Sequence, residues 1–237
     1  MHKLIRSAAG AAMMMVLGAA VALAAPTPEQ KCQQSKLKAH GKLLSCLATN
    51  EAGMIGGKDD ASATCQSKFT TAIGKADTKA AAASASCRIL DNGNGTLSDL
   101  NTGLMWEQKD GSGGGPNFTD PHDVDNQYQW SSSGTIPDGD TFTDFLAQLN
   151  GGTTSDGTTT TGCYAGRCDW RLPTTEELLA LGIVGAAFQP DAGSYHWSAS
   201  TDETVPANAW IVSTGGGLPN FDPKTTAYPV RAVRSGP

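Results

Sequence analysis

Asp169-Trp170-Arg171-Leu172-Pro173-Thr174-Thr175-Glu176-Glu177-Leu178 reads as a short buried strand, a proline stop and a capped helix start. Trp170 and Leu172 alternate with Arg171, so the two apolar side chains share one face and the guanidinium takes the other, where a carboxylate can pair with it. Thr174 is placed to cap the helix. Glu177, three residues on, is placed to bond back in a capping box. Leu178, Leu179 and Leu181 then form an apolar helical stripe. This grammar makes the C-terminal part of the chain a mixture of strands and short helices.

Working outward, strand and turn signals begin at Arg88. Arg88-Ile89-Leu90, Asp91-Asn92-Gly93-Asn94-Gly95 and Thr96-Leu97-Ser98-Asp99 make a hairpin by their turn chemistry. Asn101-Thr102-Gly103 turns again into Leu104-Met105-Trp106-Glu107. Residues 110–140 are rich in Gly, Asp, Ser and Pro and read as a long irregular loop. A short helix is expected at Phe142–Leu149, and Thr153–Gly162 reads as a Thr/Gly loop. Tyr195–Ser200, Ala207–Thr214 and Ala227–Arg234 are the expected closing strands.

These blocks resemble, in order and approximate spacing, the bacterial DUF1566 or Lcl-C-terminal family. The residues that carry the likeness are Asp91–Thr96, Thr102–Trp106, the Asp169–Leu178 stretch, Tyr195–Ser200, Ala209-Trp210 and Val230–Arg234. The resemblance covers roughly residues 88–234. It implies a variant of the C-type-lectin-like fold, which also underlies the formylglycine-generating enzymes. It further implies surface adhesion or binding of a glycan or protein, since the best-known relative is a collagen-like bacterial adhesin that binds sulfated glycosaminoglycans. This chain has no Gly-x-y repeat. It also has Ala232 where relatives often place a Cys, which fits Cys163 pairing locally with Cys168.

Residues 1–24 read as a signal peptide: a basic start at His2, Lys3 and Arg6, an uncharged run, and Ala22-Leu23-Ala24 as the cleavage site. Export to the periplasm, cell surface or medium is therefore expected, with no membrane association after cleavage. Six cysteines follow the leader, an even number that reads as three disulfides in an oxidising compartment.

Residues 25–87 read as a helical hairpin, with arms at Gln30–Asn50 and Ala61–Ala85 around a turn at Gly53–Asp60. The second arm carries Cys65, Phe69, Ala72, Ala76, Ala80 and Ala83 at coiled-coil-like steps. So small a seam buries little area, and disulfides make up the shortage. Antiparallel arms nest the bridges as Cys46–Cys65 near the turn and Cys32–Cys87 at the open end. A helix continuous from Cys65 to Cys87 would rise about 33 Å, so the second arm must end before Cys87. The fold class is thus α+β, a C-type-lectin-like domain (residues 88–237) preceded by a disulfide-stapled α-helical hairpin.

Charge divides along the chain. Residues 25–87 hold 8 Lys against 5 acids, net +3, whereas residues 88–237 hold 7 basic and 18 acidic groups, net −11. The acidic domain argues against nucleic acid and other polyanions as partners. It leaves cations and neutral or basic ligands open.

Cys163-Tyr-Ala-Gly-Arg-Cys168 is read as a small disulfide loop rather than a catalytic thiol pair. Asp91-Asn92-Gly93-Asn94-Gly95 is read as a hairpin turn, because glycines stand where a calcium loop needs ligands and only Asp91, Asn94 and Asp99 offer oxygen. Calcium stays a weak option and no other cofactor is expected. Gln189-Pro190-Asp191 copies a sugar-specificity tripeptide of animal lectins without its companion strand, and is set aside as chance. Asp120-Pro121-His122-Asp123-Val124-Asp125-Asn126 is the better ligand candidate, with four oxygen-bearing side chains and a His in seven residues. Of five tryptophans, Trp106, Trp170, Trp197 and Trp210 are assigned to the core. Trp130, beside the loop, is the one expected to face a ligand. The candidate site is therefore His122, Asp123, Asp125 and Trp130.

No Gly-x-Ser-x-Gly or His-Glu-x-x-His is present. The expected function is a non-enzymatic, exported protein that binds a glycan or a surface protein through its loops. The competing reading is a divergent enzyme of the formylglycine-generating type or an unrecognised hydrolase. A cleft with a reactive Cys or paired carboxylates would favour that reading.

Overall fold

A computed structural model describes residues 25–111, 114–182, 195–214 and 216–236. The leader (residues 1–24) and Gln189-Pro190-Asp191 lie outside the described residues. Among the described residues, no helix is long and apolar enough to cross a membrane.

Two antiparallel helices open the chain, α1 (Pro28–Ile55) and α2 (Ser62–Ala81). Thr27 and Gln30 form a capping box at the start of α1, with Pro28 in the first turn. Cys32–Cys87 and Cys46–Cys65 staple the two ends, with Cα atoms 5.9 and 5.7 Å apart, inside the reach of a disulfide. The seam runs through Cys65, Phe69, Ile73, Ala76 and Ala80. Ala83, expected to continue it, is exposed because α2 stops at Ala81 and the chain turns toward Cys87.

The hairpin is more than a spacer. Lys36 is fully buried, pairs with Asp77 on α2 at 2.5 Å and donates to the Asn101 side chain. His40 reaches the Leu100 carbonyl at 2.9 Å. Gly103 has φ +77°, and a Cβ there would stand 2.9 Å from the His40 ring, so a glycine is required where α1 meets the sheet.

The main sheet has the order β1-β2-β3-β9, all antiparallel: β1 (Ile89–Asp91), β2 (Thr96–Asp99), β3 (Leu104–Glu107) and β9 (Val233–Ser235). The expected hairpin and the turn at 101–103 are both present. β2 and β3 are buried on both faces. Met105 therefore joins one core with Tyr128, Phe145, Trp170 and Trp197, and its neighbour Trp106 joins another with Leu97, Leu178 and Val212.

A second sheet has the order β5 (Tyr195–Thr201), β6 (Asn208–Ser213), β7 (Leu218–Pro223), and a short ribbon pairs β4 (Tyr128–Gln129) with β8 (Ala227–Tyr228). β7 is exposed along most of its length, which explains why no alternating pattern announced it. Trp210, assigned to the core from sequence, lies half-exposed on this sheet with its ring 5.8 Å from exposed Phe221. Its neighbours Ala209 and Ile211 take the inward positions, and alternation turns Trp210 outward.

The 169–178 stretch docks as expected, with one difference. Arg171 exchanges both backbone hydrogen bonds with Val233, at 3.0 and 2.9 Å, but no longer strand forms there. The preceding backbone is held instead by Asn150, whose side chain accepts from the Trp170 N–H and donates to its carbonyl. Trp170 and Leu172 are buried. Thr174 and Glu177 close the capping box of α4 (Thr175–Gly182), and Arg171 makes a two-pronged ion pair with Glu177. The residue that pairs the strand-like segment thus also fixes the helix start.

Replacing Trp170 by Ala removes a buried indole and its hydrogen bond to the Tyr164 carbonyl. The expected loss is roughly 3–5 kcal/mol in chemical denaturation; a change below about 1 kcal/mol would contradict this packing. Reduction should melt the hairpin, since each bridge contributes about 2–4 kcal/mol. Helical circular dichroism that is unmoved by reductant would show that the staples are dispensable.

Candidate functional site

Glu107 ends β3 with its carboxylate fully inside the protein. Lys109 approaches at 3.1 Å and the His122 ring at 2.9 Å. Arg231 donates to the Glu107 carbonyl at 2.9 Å, and the Ala232 N–H points to the carboxylate at 3.3 Å. Burial alone would push this carboxyl up. The charges of Lys109, His122 and Arg231 overcome it and hold Glu107 at about 2. Lys109 moves down, because burial and the neighbouring Arg231 outweigh what Glu107 returns to it. One carboxylate is shared among several cations.

This centre anchors the acidic loop. Lys109 donates to the Pro121 carbonyl at 2.8 Å, and residues 110 and 122–124 bridge through backbone hydrogen bonds. Asp120 and Asp123 accept from N–H groups two residues on, at His122 and Asp125, the Asx-turn arrangement. The Asn126 amide, buried, ties together the carbonyls of Asn117 and Asp120 and the Tyr128 hydroxyl.

The loop is therefore built around its own polar groups, and this corrects the sequence reading. His122 is committed to Glu107 and stacks 4.1 Å from Tyr164. Asp123 is buried, and half-buried Asp125 accepts from the Gly115 N–H. Trp130 is 5% exposed, donates to the Ser198 carbonyl at 3.0 Å, packs edge-on against Phe142 and carries Lys224 over its ring at 4.0 Å. It cannot face a ligand. Residues 128 and 130 fall on the same side of the β4 strand, so both aromatics enter the core together. That strand was hidden inside a segment read wholly as loop.

The concave surface lies beside this plug. A cavity of about 400 Å³ is walled by Phe118 and Thr119 at one end of the loop and by buried Tyr128 at its base. Asp140 and Asp144 enter from a π-helical turn, Thr141–Phe145, which leads into α3 (Leu146–Leu149). Single π turns of this kind often sit at functional sites. Thr154, Asp156 and Thr158 come from the Thr/Gly loop, which is drawn over the cavity by Ser155 donating to Asp144 through both N–H and hydroxyl at 2.7 Å. Burial pushes the Asp140 carboxyl up, against the hydrogen bond from the Gln129 N–H, and the charge of Asp144 adds to the rise. Hydrogen bonds from Thr154 and Thr158 hold Asp156 down. Phe118 stands 52% exposed with its ring edge-on to Tyr128. None of these residues was singled out from sequence. The usable signals were two aspartates four apart at a helix start, one turn and one face, and a Thr/Gly run that folds as a flap rather than a linker.

The other expected chemistry resolves as structure. Cys163–Cys168 is bonded, as are the two hairpin pairs, and among the described residues no cysteine is free. Asp99 pairs with Arg88 at 2.7 Å and Asp91 caps its own turn at Gly93, so neither is placed for calcium. Among the described residues, the ligand atoms that converge in a trio belong to Cys32, Asp77 and Cys87. Two of those are disulfide sulfurs, unable to act as thiolate ligands.

The Glu107 centre predicts acid sensitivity. Its folded value lies below the ordinary glutamate value of 4.5, so its stabilisation is complete above about pH 4.5 and is lost as pH falls toward 2, on the order of 3 kcal/mol. Glu107→Gln leaves Lys109 without its buried counter-charge and should cost about 3–5 kcal/mol near neutral pH. It should also flatten the stability–pH curve between 4.5 and 2. A wild-type slope retained in that variant would assign the acid sensitivity to other carboxylates.

No curated protein matches the chain at a significant level. The family model of the Lcl C-terminal domain matches residues 95–234, from the turn before β2 to β9, more than half of the chain. The matched span takes in β2–β3, the Trp170 segment with its capped helix, β5 and β6, and it ends within β9. The chain belongs to the Lcl C-terminal domain family.

Proposed function

We propose that this is an exported, non-enzymatic binding protein of the bacterial envelope or surface, which recognises a glycan through the loops of a C-type-lectin-like domain. The observation that carries the reading is the cavity between Phe118 and the Asp140–Asp144 turn. It combines an exposed aromatic face, carboxylates and threonine hydroxyls, the groups by which a protein holds a polyhydroxylated ring. Three disulfides and the basic, then apolar, leader support export.

An enzyme is the second reading, and Asp140 and Asp144 are the observation in its favour, as adjacent carboxylates with one raised. Their bonding weighs against it. Asp144 is engaged by Ser155 and Thr143, and Asp140 by the Gln129 N–H. Both brace turns.

The test is an array of bacterial and host glycans probed with the purified protein and with Phe118→Ala. Binding by the wild type that falls at least tenfold in the variant, with an unchanged melting temperature, is the expected result. Binding untouched by Phe118→Ala would place the site elsewhere. Turnover of a glycan, abolished in Asp140→Asn, would replace the binding reading with the enzymatic one.

A further inference from the structure

The cavity has a one-sided charge that bears on what it accepts. Asp140, Asp144 and Asp156 line it, and among the described residues no Lys, Arg or His does. The cations of the C-terminal domain are largely consumed in the interior. Arg88 is tied to Asp99, Lys109 to Glu107, Arg171 to Glu177 and Arg234 to Asp169. Lys224 is buried against Trp130 and donates to the Thr135 carbonyl, and Arg231 is fully buried. Carboxylates thus line a concave site in which no described lining residue is basic, and such a one-signed lining concentrates cations.

The aromatic wall points the same way. Phe118 is 52% exposed and its ring stands nearly perpendicular to that of Tyr128, which leaves about half of its surface open to a ligand. An ammonium gains from such a face as well as from carboxylates. A sulfate or carboxylate gains from neither. The threonine hydroxyls beside them, on Thr154, Thr158 and Thr160, suit the hydroxyls of a sugar.

We infer that the cavity selects a cationic sugar, a glycan whose amino groups are free rather than acetylated, with Phe118 against the ring and Asp144 and Asp140 facing the ammonium. This rests on the glycan-binding reading above. It narrows the ligand to a class opposite in charge to a sulfated polysaccharide.

The experiment measures affinity of the purified protein for two matched probes, a glucosamine hexamer and its fully N-acetylated counterpart, with heparin as a polyanion. Asp144→Asn keeps an oxygen for the Ser155 N–H, and the melting temperature reports whether the fold is retained. The free-amine probe should bind at least tenfold tighter than the acetylated one and weaken as salt rises. Asp144→Asn should bring the two affinities together. Equal binding of both probes, each weakened by Phe118→Ala, would overturn the cationic selection and leave the glycan reading intact. Preference for heparin, or no binding of the free-amine probe, would also overturn it. Should Asp144→Asn unfold the protein, Asp140→Asn serves as the second variant, and an undiminished preference for the amine in it would count against the inference.

Discussion

Glu107 ties the acidic loop to the main sheet, where β3 already pairs with β9. Its backbone belongs to β3, and its carboxylate and carbonyl meet Lys109, His122, Arg231 and the Ala232 N–H. Isolated, a buried carboxylate would be too costly to keep ionised. Surrounded by cations from three segments, it becomes the point through which the long loop and the residues just before β9 are fixed to the main sheet. Lys109 needs it in turn, because its ammonium is itself inside and pairs with this carboxylate. The loop's shape follows from this constraint. Once His122 and the Pro121 carbonyl are held, the aspartates on either side have only local N–H groups to bind, and they fold the chain into Asx turns.

That coupling explains how much of the protein could be read in advance. The nested disulfides followed from helix rise and Cys spacing alone. The capping box at Thr174 and the outward Arg171 followed from two short-range rules, and Glu177 satisfies both at once. These are local statements, and sequence carries local statements well. The error at Trp130 has a different origin. The strand it follows, β4, is two residues long and pairs with β8, about a hundred residues away. No periodicity can develop over two residues, and the surrounding Gly, Asp and Ser dominate any window that contains them.

The acidic loop misled for a related reason. A run of Asp, His and Asn offers many ligand atoms on paper, but short polar side chains are also the best partners for nearby backbone N–H groups. Which use prevails depends on whether the loop has an anchor, and the anchor here is Glu107, outside the run. The cavity-lining residues were illegible for the converse reason. Phe118, Asp144 and Thr154 come from three separate segments and meet because Ser155 reaches Asp144 across the gap. Within its own segment each is unremarkable.

Charge shows the same split between what is counted and what is placed. The count of 7 bases against 18 acids in residues 88–237 describes an acidic domain, but the count alone would allow a mixed surface with local basic patches. Burial removes that option. Interior ion pairs draw bases inward, and each pair inside consumes a base that the surface then lacks. Arg167 stays exposed, and Arg171 keeps 43% of its side chain in solvent while paired with Glu177. The same pairs that hold the core therefore set the sign of the outer field, and a loop cavity formed on such a domain inherits that sign. Stability and selectivity are in this sense one arrangement. To make the cavity accept an anion, bases would have to be added at its rim, because those already present cannot be withdrawn from Glu107, Asp99 or Glu177 without loosening the segments they secure.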